Sequence, residues 1–181
     1  MKIHNYSIYH TMHPDGTAHG DTAVIIRNSI KHHEVDKFQQ EHIQATSLVI
    51  QDRHGPFTIT AIYSPSKHVI KENQFSQLFQ SLGHRFIAGG DFNANHPNWG
   101  SRLTTPRGRE LYKSTMSMNL EVVSTGEPTY WPTDKKEIPD IIGICVTKGI
   151  SRKYLDAESC LDLSSDHSPY HYNNKESNPQ K

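Results

Sequence analysis

The sequence contains very little cysteine, and its two cysteines exclude two common classes of small protein. Cys145 and Cys160 are the only cysteines among 181 residues. They lack the paired spacing of a zinc site, and two cysteines do not make a disulfide scaffold. Cys145 stands in an apolar run, so we expect a buried thiol that packs as a small hydrophobe. A reducing compartment is therefore the default expectation.

Long apolar runs and net charge are also lacking. No run is long enough to span a bilayer, and the N-terminal sequence MKIHNYSIYH lacks the apolar core of a signal peptide. These absences predict no membrane partner. The formal net charge is zero, so composition gives no sign of nucleic-acid binding. Composition does not reveal whether basic residues are concentrated on one face. The thirteen histidines are scattered, and we interpret most of them as surface residues.

Alternating apolar residues, interrupted by turn residues, predict two β-hairpins. The first joins residues 5–12 to 22–30, across a long loop rich in turn residues. The second joins residues 45–51 to 56–65, and Pro65 ends its second strand because proline cannot continue a ladder.

Two further segments, residues 71–83 and 105–120, have apolar residues at helical spacing and predict helices. Gly83 is a suitable residue to end the first of them. Three short apolar segments read as additional strands: residues 85–90, 121–124 and 139–150. Antiparallel hairpins mixed with helices predict a layered α/β fold with mixed sheets.

Polar side chains follow three of the predicted strands, where functional sites gather in α/β folds. They are Tyr63 after TITAI, Asp91 and Asn93 after FIAGG, and Asp166 and His167 after LDLSS. Each has an ordinary structural alternative: an Asx turn for DFN, a helix cap or turn for SSDH, and simple packing for the tyrosine. Only their combination and their order favour a functional interpretation.

The combination of carboxylate, carboxamide, phenol and imidazole groups suits hydrolysis of a phosphodiester. Mg²⁺ takes oxygen ligands and keeps several waters. Such an ion neutralises charge on the phosphate oxygens, while nearby carboxylates position a water for attack. Imidazole, amide and phenol groups hydrogen-bond the phosphate. No serine or cysteine stands in a nucleophile context, so the sequence suits a protease poorly.

The ordered motifs AIYSPS, GGDFNANHPNWGS and SSDHSP resemble the endonuclease/exonuclease/phosphatase superfamily. More narrowly, they resemble the apurinic-endonuclease-like domain of jockey-type non-LTR retrotransposons, in the family's order from Tyr6 to Pro169. The resemblance implies a DNase I-like four-layer α/β sandwich with mixed sheets, here missing its first strands. It implies a DNA endonuclease, dependent on Mg²⁺ or Mn²⁺, that nicks DNA to give the 3′-hydroxyl for target-primed reverse transcription. DNA is the implied partner, no obligate protein partner is evident, and the implied location is the nucleus or otherwise the cytoplasm.

The resemblance also implies roles for individual residues. Asp91 contacts the attacking water or the leaving group, and Asn93 and Tyr63 contact the scissile phosphate. Asp166 lies at or near the metal, and His167 hydrogen-bonds the phosphate. The two glycines that precede Asp91 are expected to let the backbone turn sharply.

Four residues that follow the DFNAN segment are each open to two interpretations. Trp99 fits packing better than base stacking. Arg102, Arg107 and Arg109 lie where a phosphate backbone would run, and a solvated helix start explains them equally well.

The sequence departs from the family pattern at both ends. Family domains open with a strand carrying an Asn, and a later strand ends in a metal-binding Glu; this chain resembles only the part of the family pattern after that Glu. Residues 170–181 are polar where the family continues as an apolar strand, so we predict a partial domain over residues 1–169 and a disordered tail. Because a missing central strand exposes a sheet edge, we expect a marginally stable product.

Internal positions depart as well. Gly143 stands where the family has an Asp that orients the histidine. Asp140, an odd step of three residues earlier, reads as a turn residue after Pro139. Asp21 stands where the family often has Gly. These departures predict impaired activity, typical of a truncated or decaying copy or an imperfect gene model. The alternatives are an inactive or weakly nucleic-acid-binding module of the same fold and, last, a substrate such as an inositol phosphate or sphingomyelin.

Overall fold

The computed structural model describes residues 2–16, 20–134, 136, 138–151, 155–159 and 170–173. Eleven strands and two α-helices lie in these residues, with one short 3₁₀ helix. The strands are β1 Tyr6–Thr11, β2 Thr22–Arg27, β3 His32–Glu34, β4 Phe38–Gln40, β5 Ile43–Asp52, β6 Gly55–Tyr63, β7 Phe86–Asp91, β8 Glu121–Val123, β9 Gly143–Lys148, β10 Asp156–Ser159 and β11 Tyr170–Asn173. The helices are α1 Glu72–Ser81, the 3₁₀ helix Pro97–Trp99, and α2 Pro106–Ser117.

A mixed sheet of seven strands forms the centre of the described structure. Its order is β3-β5-β6-β7-β9-β8, with β4 also paired to β5. Strands β6 and β7 are parallel, with α1 between them in sequence, and the other pairs are antiparallel. Since parallel strands end at the same edge of a sheet, residues that terminate β6 and β7 lie together.

The main core lies between this sheet and the two helices. Phe75, Leu78 and Phe79 of α1 are fully buried, as is Leu111 of α2. The rings of Phe79 and Phe86 stack with centroids 5.9 Å apart. Sheet side chains complete the cluster, among them Ile43, Ala45, Ile62, Ala88, Ile144 and Val146. The apolar stripe of each helix therefore holds it against one face of the sheet.

The β1–β2 hairpin packs on the opposite face of the sheet, against β5 and β6. Buried threonines make this contact: the hydroxyl of Thr46 hydrogen-bonds those of Thr11 at 2.9 Å and Thr22 at 2.8 Å. Cys145 lies on the same face of the sheet and is fully buried, as the sequence predicted. Apart from the separate β10–β11 pair, the described residues thus form three layers: helices, main sheet and hairpin.

The sequence-based predictions of both hairpins, both helices and the α/β class with mixed sheets are confirmed. One prediction needs correction: residues 170–173, predicted to be disordered, form β11 against β10. Strands β3 and β4 lie in a polar segment for which the sequence pattern gave no prediction. All three are short strands, where pairing with another strand outweighs a weak local pattern. No helix in the described ranges is long and apolar enough to cross a membrane.

Gly90 serves close strand packing rather than the sharp turn that the sequence suggested. It lies inside β7 with φ of 152°, and a Cβ there would lie 1.9 Å from the carbonyl oxygen of Ile62 on β6. Only glycine permits that approach of two backbones. Gly83 also has positive φ, 86°, where it follows α1, but a Cβ there would meet nothing within 4 Å.

We therefore predict that Gly90→Ala is much more destabilising than Gly83→Ala. Gly83→Ala is the control. It should lower the free energy of unfolding by about 1–2 kcal/mol, the cost of placing a residue with a side chain in a left-handed backbone conformation. Gly90→Ala adds a backbone clash and should lower it by about 3 kcal/mol or more. Urea denaturation of the two variants tests this, and equal losses would contradict the close approach of β6 and β7.

Candidate active site

Two of the expected side chains stand next to each other at one edge of the sheet. Tyr63 is the last residue of β6 and Asp91 the last of β7, and the two are paired residues of the parallel ladder. Paired residues project to the same face of a sheet. On the other side of Asp91, the first residue of β9, Gly143, is its antiparallel partner. The register therefore gives a row of Tyr63, Asp91 and Gly143.

Asn93 is fixed to Asp91 by two hydrogen bonds. Its backbone N–H donates to Oδ1 of Asp91 at 2.7 Å, and its side-chain Nδ2 donates to Oδ2 at 2.9 Å. Nδ2 also donates to the carbonyl of Ser64 at 3.1 Å. Asn93 adopts φ of 47°, a left-handed conformation that asparagine tolerates. The Asx turn that was the structural alternative does form, and it orients both side chains.

The amide of Asn93 has its two N–H groups engaged, whereas Oδ1 accepts no hydrogen bond from the described residues. That oxygen can hold a water, a cation or a hydrogen-bond donor. Because Asp91 receives two donors from Asn93, its carboxylate is held in one orientation. The pair is therefore ordered before any substrate arrives.

Tyr63 is a neutral hydrogen-bond donor in this setting. Burial raises the pKa of its phenol, and the charge of Asp91 raises it further, while Arg107 acts in the opposite direction. Gly20 lies against the ring, since a Cβ at that position would be 1.8 Å from Cε1 of Tyr63. The close contact with the backbone at Gly20 limits movement of the ring.

An open cleft of 490 Å³ brings these groups together. Tyr63, Asp91 and Asn93 line it, along with Ser66, Asn95, Leu103, Tyr130, Pro132, Ile138, Asp140 and Ile142. A second cleft of 530 Å³ shares Ser66, Asn93 and Asn95 with the first. The shared residues make the two clefts neighbours on either side of Asn93. Asp166 and His167, the other two expected site residues, lie outside the described residues.

Asp140 is a structural anchor of the cleft, and its interpretation as a turn residue was wrong. Its backbone forms a β-bridge with Tyr130, and only 8% of the residue is exposed. The carboxylate accepts four hydrogen bonds: from Oγ of Ser101 at 2.9 Å, Nδ2 of Asn95 at 3.1 Å, and the backbone N–H groups of Arg102 at 3.2 Å and Ile141 at 2.8 Å. The sequence signal for Asn95 was available, because DFNAN places polar residues at alternate positions.

The burial and contacts of Trp99 and of the three arginines that follow it bear on their alternative interpretations. Trp99 is 2% exposed and donates from Nε1 to the carbonyl of Ala94 at 2.9 Å, which confirms packing rather than base stacking. Arg102 and Arg109 are exposed, and Arg109 lines the second cleft. Arg107 is not a solvated residue of a helix start, since it is 7% exposed, and it lines the second cleft.

The described side chains at the cleft provide some of the oxygen ligands that a hard divalent cation binds. The described residues contain no group of three or more histidine, cysteine, aspartate or glutamate side chains that could hold a metal ion. They do offer the carboxylate of Asp91 and the amide oxygen of Asn93 to an open cleft. Few protein oxygens and several waters are the coordination that Mg²⁺ prefers.

The sequence matches the model of a known family, endonuclease-reverse transcriptase, over residues 57–171. The chain belongs to this family. It is 34% identical over 164 residues to the RNA-directed DNA polymerase from mobile element jockey of Drosophila funebris, a match that covers 91% of this chain and 18% of that protein. The chain therefore spans about a fifth of the length of the curated relatives it matches.

Solved structures show the same fold. The endonuclease domain of TRAS1, a telomere-specific non-LTR retrotransposon, superposes with a TM-score of 0.78 at 21% identity, over 96% of this chain and 81% of that one. An endonuclease/exonuclease/phosphatase family protein from Bacteroides thetaiotaomicron gives 0.56 at 13% identity, over 94% and 73%. The expected DNase I-like α/β fold is confirmed. Proteins of this superfamily generally use a divalent metal.

We predict that Asp140→Ala destabilises the domain by about 3 kcal/mol, because it leaves several buried donors without an acceptor. Asp134→Ala is the matched control. Asp134 is exposed and accepts one hydrogen bond, from the backbone N–H of Lys136 at 2.9 Å, so its loss should change stability by about 0.5 kcal/mol or less. Urea denaturation compares the two, and similar small losses would show that the Asp140 network is not formed.

Proposed function

We propose that this domain hydrolyses a phosphodiester bond of DNA with the help of Mg²⁺ or Mn²⁺, and so acts as the nicking endonuclease of a retrotransposon-type protein. The observation that carries the proposal is the row at the ends of β6 and β7. Tyr63 and Asp91 are paired in register, and Asn93 is hydrogen-bonded to Asp91, at an open cleft in a chain of the endonuclease-reverse transcriptase family. The nicked DNA would supply a 3′-hydroxyl for reverse transcription in the nucleus.

The reaction requires a water to form a bond to phosphorus while the bond to the 3′ oxygen breaks. The leaving oxygen takes a proton, which gives a 3′-hydroxyl and a 5′-phosphate. Asp91 supports this reaction as the carboxylate that holds the attacking water or faces the leaving oxygen. A divalent cation bound with the help of the Asp91 carboxylate would neutralise charge on the phosphate oxygens.

Asn93 and Tyr63 supply neutral contacts to the phosphate. The amide of Asn93 adds no negative charge to the site and is held by Asp91 and Ser64. The phenol of Tyr63 stays protonated and can donate to a phosphate oxygen, because its pKa is raised. Groups fixed in advance stabilise a transition state without reorganisation during the reaction. By the family resemblance, Asp166 binds the metal and His167 donates to the phosphate.

The proposal predicts metal-dependent nicking of supercoiled plasmid that is lost with EDTA. Asp91→Asn keeps the size of the side chain and removes the charge, so the rate should fall about 100-fold or more. Asp52→Asn is the matched control: Asp52 pairs with Arg85 at 3.0 Å, at the far end of β6, and its loss should leave the rate unchanged.

Two outcomes would contradict this proposal. One is nicking by Asp91→Asn at the wild-type rate, which would place the chemistry elsewhere. The other is a folded wild-type protein that binds DNA in a salt-sensitive way but never nicks it, which would mark a binding module. Thermal melting of each protein confirms that it is folded.

A separate prediction concerns pH. Since the pKa of Tyr63 is raised above its ordinary value of about 10, the phenol remains a donor throughout neutral and mildly alkaline solution. Tyr63→Phe should therefore lower the nicking rate by a constant factor from about pH 7 to about pH 9.5. A wild-type advantage that fades by about pH 9 would show a phenol of lowered pKa and contradict the described environment.

A further inference from the structure

Arg107 has an environment that neither a surface arginine nor a phosphate-binding arginine would have. It is the second residue of α2 and is 7% exposed. Burial lowers the pKa of its guanidinium, and electrostatic interactions with Asp91 and Tyr63 oppose that change. Arginine stays charged under such conditions. A permanent positive charge therefore lies almost fully buried at the wall of the second cleft.

The guanidinium of Arg107 donates to oxygens that carry no formal charge. Nη1 donates to the carbonyl of Ser64 at 3.0 Å, with longer contacts at 3.4 Å to its hydroxyl and to the carbonyl of Phe92. Nη2 donates to the carbonyls of Pro65 at 2.6 Å and Ser66 at 3.1 Å, and to that of His68. Both terminal nitrogens are engaged by the protein itself, so they are not available to grip a phosphate.

These acceptors belong to the two loops that carry the site. Residues 64–68 directly follow Tyr63, and Phe92 stands between Asp91 and Asn93. Two further contacts join the same loops, because the backbone N–H of Ser64 donates to the carbonyl of Asp91 at 2.9 Å and Nδ2 of Asn93 donates to the carbonyl of Ser64 at 3.1 Å. One planar group with several fixed donors therefore spans both loops, which a lysine ammonium cannot reproduce.

We propose that Arg107 is a positioning residue for phosphodiester hydrolysis at this site. Its guanidinium holds the loop after β6 and the loop after β7 at a fixed separation, so that Tyr63 and Asn93 face the same phosphate. The inference rests on the proposed function for its catalytic consequence. The structural part, that Arg107 fixes the two loops to each other, stands without it.

The kinetic test compares the same substitution at a buried and at an exposed arginine. Arg107→Lys keeps the charge but loses the planar fork of the guanidinium, so kcat for plasmid nicking should fall about 10–100-fold. KM and its dependence on salt should be unchanged, because both terminal nitrogens of Arg107 are already engaged by the protein. Arg53→Lys changes an exposed arginine in the turn between β5 and β6, away from both clefts, and should leave kcat unchanged. A wild-type kcat in Arg107→Lys, or a rise in KM alone, would overturn the proposal.

Amide hydrogen exchange tests the structural part without any activity. In Arg107→Lys, the amides of Ser64 and Asn93, which donate to Asp91, should exchange at least about tenfold faster. Amides in the middle of β6, such as Ile59, should keep their protection. Wild-type exchange at Ser64 and Asn93 would overturn the positioning role. A wild-type protein that never nicks DNA but shows the expected exchange would contradict only the proposed function.

A measurement on the wild-type protein covers the case in which Arg107→Lys fails to fold. In a ¹⁵N spectrum of the arginine side chains, the Nη hydrogens of Arg107 should give separate, slowly exchanging signals, because six acceptors surround them. Assignment uses Arg107→Met if that variant folds, and otherwise contacts to the segment Pro65–Ser66, whose carbonyls accept from Nη2. Averaged, fast-exchanging signals like those of an exposed arginine would overturn the proposal.

Discussion

The close parallel pairing of β6 and β7 is the constraint on which the site depends. The backbone of Gly90 approaches the carbonyl of Ile62 so closely that no side chain fits between them. This pairing sets Tyr63 beside Asp91 in register. A shift of one residue would turn one of the two side chains to the opposite face of the sheet. The arrangement of side chains in the cleft thus depends on a backbone contact between two strands.

Polar contacts, together with the burial of Phe92 and Ala94 in the main core, hold the loops that follow these strands. Asn93 is tied to Asp91, Arg107 spans both loops, and Asp140 collects donors from the segment around Ser101 and Asn95. Buried polar networks of this kind are stable only when nearly every member is satisfied. They give a site whose groups are oriented before substrate binds, as electrostatic stabilisation of a transition state requires. The two helices contribute by covering the face of the main sheet opposite the β1–β2 hairpin.

Much of the fold and part of the site could be predicted from the sequence, for identifiable reasons. Alternation, weak in the first strand of the first hairpin and clearer in the second hairpin, revealed both hairpins, and helical spacing revealed both helices. Polar residues after apolar strands pointed to Tyr63, Asp91 and Asn93. Strands β3 and β4 could not be found, because each has three mostly exposed residues and forms only by pairing with β5. Their local sequence carries almost no β signal.

The role of two charged residues depended on long-range contacts that no local pattern contains. Asp140 looked like a turn residue, but its partners lie about forty positions earlier in the chain. Arg107 looked like a surface residue at a helix start, yet its acceptors come from a loop that precedes α1. Register and burial, which decide both cases, are properties of the folded chain. Gly143 is the partner of Asp91 on β9, and it leaves that side of the carboxylate without an acidic neighbour on β9.

Paramagnetic broadening by Mn²⁺ tests most directly whether this cleft is a metal-dependent phosphodiesterase site. With a short DNA duplex present, substoichiometric Mn²⁺ should selectively broaden the amide signals of Tyr63, Asn93 and Ile142. Signals at the far end of β6, near Gly55, should persist, and Asp91→Asn should abolish the selective effect. Broadening centred on another part of the protein, or equal in wild type and Asp91→Asn, would contradict a metal site at the ends of β6 and β7.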